Sequence, residues 1–238
     1  MKKIIFSIIF LSAISCFAQE SEQNKSAQFS VASDLASRYI WRGKALSTTP
    51  CVQPSINFTS GNFSVQNWNS YSFGKEGLQE VDLYLSYTLG SFKLSLNDYF
   101  MPGEDSTTKR EYFNLQKGKT KHVIELYGEF NGPENFPVKL AAGTFVYGDD
   151  LDANNSSLYS SYCEVGFTFR KNEVSIYPYI GFTPFKGYYH TKTGIVNAGL
   201  TVSKSVQVTD KYNVPVSVSF ITNPAEGNVF VLLTASIF

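Results

Sequence analysis

The sequence predicts an all-β chain: a single antiparallel transmembrane β-barrel of about 12 strands, with short periplasmic turns and longer extracellular loops. Three observations predict it. Apolar and polar residues alternate with period two over nearly the whole chain after residue 27. The connections between alternating runs are long and short by turns. The polar faces carry charges at mid-strand, where a lipid-facing surface would reject them.

Taken in order, residues 1–18 come first. Lys2 and Lys3 precede an apolar run from Ile4 to Phe17, and Ala18 precedes Gln19. That is the layout of a signal peptide with cleavage after Ala18. The run is shorter than the roughly 20 apolar residues a spanning helix needs. The competing processing, lipidation at Cys16, lacks the leucine usual three residues before the cysteine. Residues 19–27 form a polar lead and 28–238 the barrel. Loss of Lys2 and Lys3 leaves 18 basic against 20 acidic residues, a balance that excludes the basic face of a nucleic-acid binder. Only Cys51 and Cys163 then remain, too few for a disulfide scaffold, and they lie on opposite strand faces.

Alternation marks strands over 28–42, 51–60, 62–72, 79–89, 92–100, 121–130, 137–147, 157–170, 174–183, 194–206, 213–222 and 228–238. "EVDLYLSYTL" is the clearest, with Val81, Leu83, Leu85, Tyr87 and Leu89 opposite Glu80, Asp82, Tyr84, Ser86 and Thr88. A soluble barrel would show the same alternation turned inside out. Three arguments put the apolar face outward. Twelve strands enclose more volume than side chains fill. Charges lie mid-strand at Asp34, Arg38, Asp82, Glu125, Lys139 and Glu164. Phe29 and Trp41, twelve positions apart on one apolar face, match the ~25 Å band between aromatic girdles.

"SVASDLASRYIWRG", "EVDLYLSYTLG", "VYGDD", "YSSYCEVGF" and "FITNP" occur in this order and resemble the motifs of the TorF-like (Gcw_chp) outer-membrane porin family. The likeness runs from about Phe29 to the end. It rests on Ser33, Asp34, Arg38, Arg42 and Gly43 in the first motif and Glu80, Asp82, Tyr84 and Tyr87 in the second. Trp41 departs from a frequent Phe. The resemblance implies an outer-membrane barrel. It also implies that the assembly machinery reads the C-terminal strand, which ends in an aromatic.

The candidate pore-lining residues are Asp34, Arg38, Arg42, Glu80, Asp82, Lys93, Glu125, Glu129, Lys139 and Glu164. Opposed charges of this kind set a transverse field in a pore, or pair and brace the wall. The long segment 101–120, with Tyr112, Phe113 and Leu115, is expected to fold into the lumen or cover the outer mouth. The expected function is passive diffusion of small polar solutes or ions, with outer-membrane lipid as surroundings and no cofactor, metal or nucleic acid. The sequence leaves the oligomeric state open. The alternative is a plugged barrel that binds a ligand or partner. A lipid-modifying enzyme needs a base, and His122 and His190 read as surface histidines: His122 and Glu125, three apart, point to opposite faces. "YGDDLDANNSS" lacks an EF-hand layout and reads as a solvated loop. The final strand, "VFVLLTASIF", is apolar on both faces. Phe230, Leu232 and Phe238 are assigned to lipid and Val229, Val231 and Leu233 to the lumen, where something must pack against them.

Overall fold

The computed structural model describes residues 27–74, 79–101 and 111–237. The expected signal peptide, the polar lead up to residue 26 and the last residue lie outside the described residues. The strands are β1 (Gln28–Ala36), β2 (Tyr39–Trp41), β3 (Lys44–Ser47), β4 (Cys51–Ser60), β5 (Phe63–Ser72), β6 (Gln79–Leu89), β7 (Phe92–Phe100), β8 (His122–Asn131), β9 (Val138–Gly148), β10 (Ser161–Phe167), β11 (Phe169–Lys171), β12 (Val174–Thr183), β13 (Gly194–Thr209), β14 (Tyr212–Asn223) and β15 (Asn228–Ser236).

β10 and β11 are one wall strand broken at Thr168, and both pair with β12. β2 and β3 pair only with each other. The other strands form a closed antiparallel ring of twelve, as the alternation predicts. β1 closes on β15 through Asp34↔Ser236, Leu35↔Ala235 and Ala36↔Thr234. Closure leaves no sheet edge, the condition for a β-structure to sit in lipid.

The barrel is inside out relative to a water-soluble one. On β6, Leu83, Leu85 and Tyr87 are exposed while Glu80, Asp82 and Ser86 are buried. On β7, Leu94 and Leu96 are exposed while Ser95 and Asn97 are buried. A continuous apolar outer surface of this extent is unfavourable in water by roughly 25 cal/mol per Å² and is stable only when covered.

The first strand departs from expectation. It ends at Ala36, and the chain then leaves the wall and folds into the lumen as the β2–β3 hairpin. Its two-residue turn has positive φ at both central residues, Arg42 (47°) and Gly43 (78°), the geometry of a type I′ turn. Gly43 is required by space as well: a Cβ there would lie 1.9 Å from the Val196 carbonyl oxygen. Trp41 therefore belongs to no outer girdle. It packs in the lumen against Tyr99, Phe145 and Tyr189.

The core consequently lies inside the barrel. Tyr99, Phe145, Tyr162, Tyr189 and Val196 form one buried cluster with Trp41 against it. Ala36, Tyr39 and Cys51 form a second, joined by Leu46, Trp68 and Leu232. This second cluster reverses the assignment of the final strand. Val229, Val231 and Leu233 are exposed on the outer wall. Leu232 faces inward because the hairpin gives it an apolar surface to pack on.

The described part of segment 101–120 does not enter the lumen. The Tyr112 ring packs on Phe100 at 5.0 Å and His122 at 4.9 Å, on the outward side of the wall. The Tyr147 hydroxyl donates to the Leu115 carbonyl. Phe113 is 92% exposed.

Candidate functional site

The tip of the hairpin carries the central contact. Arg42 meets Glu125 of β8 fork to fork, Nη1 to Oε1 at 2.6 Å and Nη2 to Oε2 at 3.0 Å. Glu125 has no exposed side-chain surface and Arg42 is 10% exposed. Two features fit the carboxylate to its place. Tyr99 Oη donates to Oε2 at 2.7 Å and Asn97 Nδ2 at 3.3 Å. Gly143 on the neighbouring strand leaves the room, since a Cβ there would lie 2.2 Å from Glu125 Oε1. Arg42 also donates to the Tyr189 hydroxyl. Its guanidinium lies 4.6 Å from the Trp41 ring and 4.8 Å from that of Tyr162.

Further bonds tie the hairpin down. Lys44 Nζ pairs with Glu226 at 2.8 Å and lies 5.5 Å over the Tyr188 ring. Asn223 Nδ2 donates to the Gly43 carbonyl at 3.2 Å. Burial, with Glu80 and Asp82 beside it, raises Tyr39 well above the ordinary tyrosine range and keeps its hydroxyl protonated. Burial pushes Tyr188 up to about 12, and raises Tyr189 as well.

Two ion pairs form among the ten candidate lumen charges: Arg42–Glu125 and Lys139–Glu129, the latter at 2.9 Å. Asp34 on β1 accepts from Ser236 Oγ across the closing seam. Arg38 is half-buried where the chain leaves the wall, off the strand on which alternation set it. Glu80 and Asp82 are buried on the inner face of β6, and Tyr84 Oη donates to Asp82 at 2.6 Å. Lys93 stands opposite Glu129 in the β7–β8 register. Glu164 accepts from Tyr162 Oη, from Tyr177 Oη at 3.0 Å and from Asn197 Nδ2 at 3.4 Å. Sequence reasoning missed the aromatic lumen around Arg42. Its one trace was "GYYH", where Gly187 lets Tyr188 and Tyr189 turn inward: a Cβ on Gly187 would lie 2.2 Å from Ser160 Oγ.

His122 is 1% exposed and is no surface histidine. Its Nδ1 lies 2.8 and 2.9 Å from the Asp98 carboxylate oxygens, and Nε2 lies 2.6 Å from the Tyr112 carbonyl. Both ring nitrogens thus face acceptors, and the place a nucleophile's hydroxyl would take is filled by that carbonyl. The carboxylates of the 148–157 loop have partners within the protein, and one of them, Asp152, folds the loop itself. Asp149 pairs with Lys121 at 2.8 Å, and Asp150 accepts from Ser160 N at 2.8 Å and Oγ at 2.6 Å. Asp152 accepts from the amides of Ser156 and Asn154, which hold it below the usual carboxylate range. Among the described residues, no three His, Cys, Asp or Glu side chains gather as metal ligands would. Cys51 and Cys163 are both free.

No family model matches the chain, so the TorF-like resemblance rests on the motifs quoted above. No curated protein matches it. Among solved structures, the chain is similar to an outer membrane channel from Pseudomonas putida F1, with 12% identity, a TM-score of 0.47, and coverage of 91% of this chain and 97% of that one.

Proposed function

We propose that the protein is an outer-membrane channel for small polar solutes or ions whose path is held closed by the Tyr39–Ser47 hairpin. The observation that carries this reading is the Arg42–Glu125 pair, which crosses the lumen and fixes the hairpin in it. The apolar outer wall and the closed ring support residence in lipid, and the signal-peptide layout of residues 1–18 supports export to the outer membrane. Beyond the hairpin, towards the short-turn mouth, Glu129, Lys139, Glu164 and Tyr177 are only half-buried, as the wall of a wet vestibule would be. No reaction and no cofactor belong to this reading.

A second reading is a plugged barrel that binds a ligand at its long-loop mouth. The aromatic packing that fills that half of the lumen favours it. Single-channel recording separates the two. In the first, the intact barrel gives small or rare openings, and deletion of residues 38–48 gives large, steady ones. Equal conductance of both forms would overturn the closed channel, and silence of both would favour the second reading.

A further inference from the structure

A cavity of about 130 Å³ opens at the long-loop mouth, directly above the hairpin. Its walls include Trp41, Tyr99, Phe145 and Tyr188, and its edge carries Lys121, Asp149 and Asp150. The volume is close to that of a ~150 Å³ cavity that takes up benzene, so the guest is small.

Charge decides what kind of guest. The cation of the cavity lining, Lys121, already has Asp149, and the two hairpin cations beside the cavity are paired too, Arg42 with Glu125 and Lys44 with Glu226. Asp150 receives only the amide and hydroxyl of Ser160 and has no cationic partner among the described residues. It lines the cavity as a surplus negative charge. The walls have the same preference, because aromatic ring faces attract cations and bind quaternary ammonium groups best when desolvated. Two rings of the set already do so within the chain, Trp41 for Arg42 and Tyr188 for Lys44.

We propose that this cavity is a binding site for a small organic cation of the quaternary ammonium class. The proposal deepens the ligand-binding reading above and requires only that the long-loop mouth be open to solvent.

The test is a binding titration on the purified, folded barrel in detergent, following Trp fluorescence and heat. The probes are tetramethylammonium chloride and neutral tert-butanol, with sodium chloride matching ionic strength. Saturable binding of tetramethylammonium, at least tenfold tighter than tert-butanol, is expected. Tyr188→Leu, at a partly exposed ring, weakens it about tenfold. Lys121→Ala, at an exposed side chain, frees Asp149 and tightens it severalfold. No saturable binding, equal affinity for tert-butanol, or an unchanged affinity in Tyr188→Leu overturns the proposal. Conductance is not the readout, so a barrel that conducts yet binds nothing sinks the cation site and leaves the channel standing.

Discussion

Arg42 and Glu125 lie 83 residues apart in sequence and meet through two hydrogen bonds inside the barrel, among the rings of Trp41, Tyr99, Tyr162 and Tyr189. A buried pair of this kind contributes little net stability over an apolar substitute. Removing one partner is another matter, because an uncompensated charge is left behind at about 3–5 kcal/mol.

That asymmetry gives the first prediction. Arg42→Ala shifts the hairpin towards its undocked state by a factor of about 10²–10⁴, and single-channel records show longer and larger openings. Arg42→Lys falls between, since an ammonium cannot make the two-pronged contact. Records identical to wild type for Arg42→Ala would dismiss the pair as a latch.

Gly43→Ala attacks the same element through the backbone. The residue sits at φ 78°, where a side chain costs roughly 1–2 kcal/mol. Its Cβ would also lie 1.9 Å from the Val196 carbonyl oxygen. The hairpin cannot seat, while the wall strands, whose ladders do not depend on the Gly43–Val196 approach, keep their circular dichroism.

Cys51 reports on seating. It is fully buried under Tyr39 and Ala36. A maleimide reagent therefore leaves it unmodified in the native barrel and modifies it in Gly43→Ala. Labelling at equal rates in both proteins would mean that the hairpin does not cover this position.

Alkaline pH loosens the hairpin. Tyr188 rises from 10.0 to about 12 on burial, and Tyr189 and Tyr39 are raised too. A raised folded value means that the folded state holds the proton more tightly. The associated stability is complete below about pH 10 and is lost as pH climbs towards 12. Conductance is expected to rise across that window and to fall back on neutralisation. A Tyr188→Phe, Tyr189→Phe double variant shows less of this change.

The wall was legible in the sequence because its physics is local: alternation marked 51–60, 79–89, 92–100 and 174–183 with the bounds the structure has. The hairpin was not legible because it obeys the same rule. Alternation continues past Ala36 through Tyr39 and Trp41, so a strand folded into the lumen looks like a longer strand in the wall. Its one trace was remote. The final strand is apolar on both faces, so one face needed a partner in the lumen; the face is that of Leu232, not that of Val229, Val231 and Leu233, and what it packs on is the cluster of Ala36, Tyr39 and Cys51. The Asp98–His122 contact was hidden for a related reason, since residues 24 apart meet only through the β7–β8 register.

The hairpin leaves the wall after the first strand, yet its anchors come late in the chain: Glu125, Tyr189, Val196, Asn223, Glu226 and Leu232. Early strands offer it Trp68 and Tyr99, but the Glu226 and Leu232 contacts are missing until the closing strand is in place. Full seating therefore follows completion of the ring. If the hairpin closes a channel as proposed, a newly formed barrel is expected to pass through a leaky stage before it seals. Cys51 times that stage: pulse labelling during refolding catches a population that is already barrel-shaped, by its shifted gel mobility, and still thiol-reactive.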